Sequence, residues 1–150
     1  MKSKFITLKL GIKNNKIDGL LISLSKKSTT QLISTLNKFA AAPVIISKKN
    51  IIKSNPKYIF INSGNANACT GILGFKNAVS CTETISDLFS CSKEQVLLFS
   101  TGIIGRQLPI KVITRSLKRH TFNFKSSWVS AAKAIMTTDK TMKYISKSFY

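Results

Sequence analysis

Apolar residues along this chain occur as short continuous runs in some places and at helical spacing in others. GLLISLS, 19–25, follows a turn-prone polar stretch and reads as a buried strand. APVIIS, 42–47, contains Pro43, which breaks a helix, and its β-branched residues favour a strand. NPKYIFIN, 55–62, places a turn signal ahead of a third strand. From there the period changes. Phe75, Ala78, Val79, Thr82, Ile85, Leu88 and Phe89 recur at spacings of three and four and mark one face of a helix. Ser92 and Gln95 have capping-box spacing, but the segment between them has room for only a turn. QVLLFS, 95–100, then reads as another buried strand.

Pro109 suits the first turn of a further helix, with Ile110, Val112, Ile113 and Leu117 on its apolar side. Ser127 can cap another, with Trp128, Ala131, Ala132 and Ile135 facing inward. The tail KTMKYISKSFY, 140–150, alternates as an edge strand would. Strand, loop and helix therefore follow one another twice, which predicts an α/β fold in a single domain over 1–150. No internal repeat, linker or low-complexity block interrupts it.

Composition changes this picture little. The chain has 150 residues and is 43% hydrophobic, enough for a real core. No apolar run approaches the roughly 18 residues of a membrane span. The N-terminus is basic without an apolar h-region, which predicts no signal peptide and a cytoplasmic location. Cys69, Cys81 and Cys91 form no C-x-x-C pair, so neither a metal site nor a disulfide framework is expected. Cys69 reads as a small buried residue. The net charge of +19 invites a nucleic-acid partner. However, the lysines are spread from Lys2 to Lys147, and no aromatics interleave with them as stacking would require. A solvated lysine-rich surface, of the kind AT-rich codons produce, accounts for the charge.

The candidate chemistry lies in two uncharged loops that follow strand ends, where α/β proteins usually build sites. The first is INSGNANACTG, 61–71, and the second is STGIIGRQLP, 100–109. In the first, Gly64 and Gly71 permit backbone conformations that side chains forbid, and Asn62, Asn65 and Asn67 can bond nearby backbone without adding charge. A third segment is AIMTTD, 134–139. With AAPVIIS, these motifs in this order resemble the N-terminal part of the bifunctional ornithine acetyltransferase/N-acetylglutamate synthase (ArgJ) family. That family carries KAAPV, NSGNANACTG, STGVIG-x-x-LP and A-x-AIMTTDT-x-PK, and the resemblance spans about Gly11 to Lys143.

The resemblance implies an ArgJ/DmpA-like α/β fold that is incomplete without a second, β subunit. It implies an enzyme that cuts itself before a threonine, uses that threonine as nucleophile, and moves acetyl from N-acetylornithine to glutamate. Thr101, through its hydroxyl, and Gly102, through its N–H, would form the oxyanion hole. Thr137 would contact substrate, and Asn62, Gly64, Asn65 and Asn67 would shape the site wall. No cofactor or metal is implied; acetyl-CoA would enter only as an acetyl donor. The implied partner is a β chain, in an α2β2 assembly.

The family's lysine-bearing K-G-x-G-M segment and its nucleophilic threonine have no counterpart before Tyr150. Lys140 and Met142 stand where the family has a small polar residue and a proline. The chain alone is therefore expected to be inactive, with the nucleophile supplied by a partner chain. The alternatives are a degenerate, non-catalytic remnant or structural subunit, and a basic nucleic-acid-binding module.

Overall fold

Phe5, Leu8, Leu20, Leu21, Phe60 and Val96 to Leu98 are buried strand residues, and they assemble four strands into one mixed sheet. A computed structural model describes residues 3–125, 127–145 and 147. Strands β1 (Lys4–Leu8), β2 (Gly19–Ser23), β3 (Tyr58–Asn65) and β4 (Val96–Ile103) lie in the order β1-β2-β3-β4. The first two pairings are antiparallel and β3–β4 is parallel. Helix α2 (Gly71–Phe89) makes the crossover between the parallel strands, as such a connection requires.

Alternation divides the side chains between the two faces of the sheet. Leu8, Leu21, Phe60 and Leu98 face a core shared with Ile46 of α1 (Ala42–Lys53), Ala78, Cys81 and Ile85 of α2, and Ile113 and Leu117 of α3 (Ile110–Arg119). On the other face Phe5 and Leu20 pack with Ala131 and Ala134 of α4 (Trp128–Ile135). Residue 85 of the helical stripe is fully buried, a position where an isoleucine contributes about 1.5–3 kcal/mol. Helix α4 lies over β1, β2 and β3. Beyond it, on β4, Phe99 is 38% exposed, and this face of the last strand is left open.

Several expectations need correction. APVIIS is not a strand. It opens α1, with Pro43 in the first turn, where a missing N–H breaks no helical bond. Ala42, Pro43, Ile46, Ser47 and Asn50 are its buried residues, and this is helical spacing. Ser47 and Asn50 are buried because they saturate the start of β4. The Ser47 hydroxyl bonds both the N–H and the C=O of Leu98, each at 2.8 Å, and the Asn50 amide donates to the Val96 carbonyl at 2.9 Å. The inward stripe of α4 is Ala131 and Ala134, small residues that let it approach the sheet closely. Trp128 is 63% exposed, its ring 4.4 Å from that of Phe5, and Ile135 is 40% exposed. The tail forms no strand among its described residues; 146 and 148–150 lie outside them. Strand β1 was not expected. The helix after Phe75, the Ser92–Gln95 capping box and the Ser127 cap, whose hydroxyl accepts from the Ser130 N–H, occur where the spacing places them.

Candidate active site at the ends of the parallel strands

The two uncharged loops meet because β3 and β4 are parallel and in register. Asn62, Ser63, Gly64 and Asn65 sit opposite Ser100, Thr101, Gly102 and Ile103. Past the strand ends the loops stay joined, the Ala66 N–H donating to the Ile103 carbonyl and the Gly105 N–H to the Ala68 carbonyl, both at 2.9 Å. Gly64 and Gly102 face each other with φ of +104° and +131°. A Cβ on Gly102 would stand 2.3 Å from the carbonyl carbon of Gly64, so this contact of two backbones admits only glycine.

Strand alternation fixes the direction of the Gly102 N–H. Ile103 bonds toward β3 through its carbonyl, while Leu98 bonds away from β3, toward Ser47. Gly102 shares the parity of Leu98, so its N–H points away from β3 to the open edge of the strand. Thr101 has the opposite parity of face from Ser100. It lines a cleft of about 400 Å³ with Ile61, Phe99, Ile135, Met136 and Asp139.

Thr137 stands at the rim of this cleft. It is exposed, and its neighbours Met136 and Asp139 line the cavity. Its N–H donates to the Asp139 carboxylate at 3.4 Å, and the Lys143 ammonium donates to the same carboxylate at 2.8 Å. The Lys143 hydrogen bond holds Asp139 below its usual carboxylate range, with the Thr137 N–H assisting. Lys143 is correspondingly pushed up by Asp139. Lys140 is exposed.

The asparagines act on the cleft from behind. All three are buried, and none lines it. The Asn62 amide donates to the Asn65 carbonyl at 2.7 Å, and its oxygen accepts from the Ser100 hydroxyl. Asn65 donates to the carbonyls of Arg106 and Gln107, and Asn67 to that of Gly74. Each side chain thus ties one strand-end loop to the other or to α2. Asn67 itself has φ of +46°, a conformation asparagine tolerates better than most residues.

Cys69 corrects an expectation, since it is exposed. Cys81 is buried against the core, and burial pushes its thiol up to about 12. At about pH 8 a thiol-alkylating reagent is expected to modify Cys69 in the folded chain and to reach Cys81 only on unfolding. Peptide mass mapping under native and denaturing conditions checks this. The folded Cys81 thiol keeps its proton after the unfolded one, with a reference value of 9.0, has lost it. Stability should therefore fall as pH rises from about 9 to about 12.

Sequence reasoning missed three polar residues beside the site. Asp18 is fully buried, and its carboxylate accepts from the N–H groups of Leu10, Ile12 and Lys13. Lys13 donates from Nζ to the Ser63 hydroxyl at 2.8 Å and to the Met136 carbonyl. Ser63 in turn donates to the Ala134 carbonyl at 2.7 Å. A usable signal was present, because Asp18 is one of only five acids in the chain and abuts the buried run GLLIS. A carboxylate there needs donors close by.

This fold is shared with two solved structures. The structure superposes on the ArgJ protein of Bacillus halodurans with a TM-score of 0.84 at 28% identity, covering 93% of this chain and 74% of that one. It superposes on the ornithine acetyltransferase of Mycobacterium tuberculosis, solved with ornithine, with a TM-score of 0.85 at 28% identity, covering 93% and 77%. Residues 4–150 match the ArgJ family model, and the chain belongs to that family. It is 44% identical over 138 residues to the mitochondrial arginine biosynthesis bifunctional protein ArgJ of Dictyostelium discoideum, covering 90% of this chain and 31% of that protein. It is 36% identical over 140 residues to the Caldanaerobacter subterraneus ArgJ protein, covering 93% and 35%. The chain thus spans about a third of the length of these relatives. Among the described residues no helix is long and apolar enough to cross a membrane.

Proposed function

We propose that this chain is the oxyanion-stabilising part of a glutamate N-acetyltransferase, which moves acetyl from N-acetylornithine to glutamate in arginine biosynthesis. The observation that carries the reading is the Thr101–Gly102 pair. One residue lines the cleft, and the next directs its N–H to the open strand edge. Each acyl transfer passes through a tetrahedral oxyanion, and donors preorganised toward that charge stabilise the transition state more than the substrate. The Thr101 hydroxyl and the Gly102 N–H are the two donors. Thr137, at the rim, binds substrate. The nucleophile is a threonine supplied by a β chain that closes the open face of β4 and completes the cleft. The ornithine carried by the Mycobacterium tuberculosis relative supports this substrate class.

The purified 150-residue chain is expected to form no N-acetylglutamate from N-acetylornithine and glutamate, and to do so once combined with a β chain of the family. Turnover by the chain alone would overturn the division of roles. A well-formed complex with no turnover would favour a structural subunit.

A further inference from the structure

We propose that Lys13 is a positioning residue for the substrate-binding rim of the cleft. Its ammonium clamps the C-terminal end of α4 to the end of β3 and so sets where Thr137 stands relative to Thr101. The inference rests on the reading of Thr137 as a substrate contact.

The clamp is built from three directions. The backbone of Lys13 is held by the buried Asp18 carboxylate, which accepts its N–H at 2.8 Å. Its stem passes over Gly64, where an added Cβ would stand 3.0 Å from Lys13 Cγ and 3.0 Å from Ile12 Cγ2. Its ammonium meets the Ser63 hydroxyl and the Met136 carbonyl, while Ser63 holds the Ala134 carbonyl. Ala134 and Met136 lie at the end of α4, where carbonyls lack helical partners and the helix dipole favours a cation. Met136 is already extended, and Thr137 is the next residue. Ser63 is the register partner of Thr101, so the clamp is anchored one strand away from the proposed oxyanion donor. Beyond this cluster, the side-chain hydrogen bonds of the rim among the described residues are the exposed ones joining Thr137, Asp139 and Lys143.

The test compares Lys13→Met, which keeps the stem and removes the donors, with Lys13→Arg, which keeps donors and charge. In the full 150-residue chain, backbone amide order parameters of Met136 to Asp139 are expected to fall below about 0.6 in Lys13→Met, while β3 and β4 stay near about 0.85. Lys13→Arg should recover much of the order. In a complex that turns over, Lys13→Met should raise KM for N-acetylornithine roughly tenfold and change kcat far less. An unchanged rim, loosening spread evenly over the sheet, or a loosened rim with unchanged KM would each overturn the proposal. Failure of the oxyanion reading shows separately, as indifference of turnover to Thr101 substitutions, and leaves the order parameters to judge the clamp.

Discussion

Thr101→Ala is expected to lower kcat of a reconstituted enzyme by about 10²–10³, roughly 3–4 kcal/mol of transition-state stabilisation. The substitution removes one hydroxyl and leaves the backbone of β4 as it is. The charge that this hydroxyl meets exists only while the tetrahedral species does, so KM should change far less than kcat. Thr101→Ser retains the donor and should lose much less. Steady-state kinetics of the three proteins decide the matter. If both variants match the wild type with the fold intact by circular dichroism, Thr101 only ends a strand, and the oxyanion assignment is wrong.

Gly102→Ala is expected to act on the fold before it acts on the chemistry. The family resemblance suggests that a methyl here would obstruct the acetyl group. The structure aims it instead at the backbone of β3, 2.3 Å from the Gly64 carbonyl carbon and 2.6 Å from the Asn65 nitrogen. Neither atom can yield as a flexible side chain would. The φ of +131° adds a conformation that L residues rarely adopt. Overpacking at about 1–3 kcal/mol and backbone strain at about 1–3 kcal/mol together remove a large share of the stability of an ordinary domain. Chemical denaturation should show a much lower midpoint, or no folded protein at all, whereas Thr101→Ala should unfold close to wild type. A Gly102→Ala protein as stable as wild type would show that the two strand ends separate more readily than their geometry implies.

The contrast between the two substitutions marks what the sequence could carry. The family resemblance named Thr101 and Gly102, and the register places them near the end of β4 opposite Ser63 and Gly64. The resemblance could not tell which direction a Cβ on Gly102 would face, since that depends on the register with Gly64, some 38 residues earlier in the chain. The same limit hid the Lys13–Ser63–Met136 cluster, whose members come together only through the tertiary fold. Local patterns served well where one face is buried along a whole element, as in α2. They misled in APVIIS, where six residues favour a strand but the following KKNIIK completes a helical stripe ending at Asn50. In α4, large apolar residues suggested the inward face, yet close packing selected the alanines. In β1, only Phe5 and Leu8 are fully buried, and a spacing of three within five residues does not look like a strand.

The two polar side chains of α1 have a consequence for assembly. The N–H of Val96 bonds the Lys93 carbonyl and its C=O is taken by Asn50, while both groups of Leu98 are taken by Ser47. Only the outward groups of Ser100 and Gly102 remain for a strand that would lengthen the sheet on this side. An open edge usually templates unlimited recruitment of further chains. Here the helix works as a stop on the ladder. A completing segment can dock in a short stretch beyond Leu98, but another copy of the chain finds too few rungs to propagate a fibre from β4.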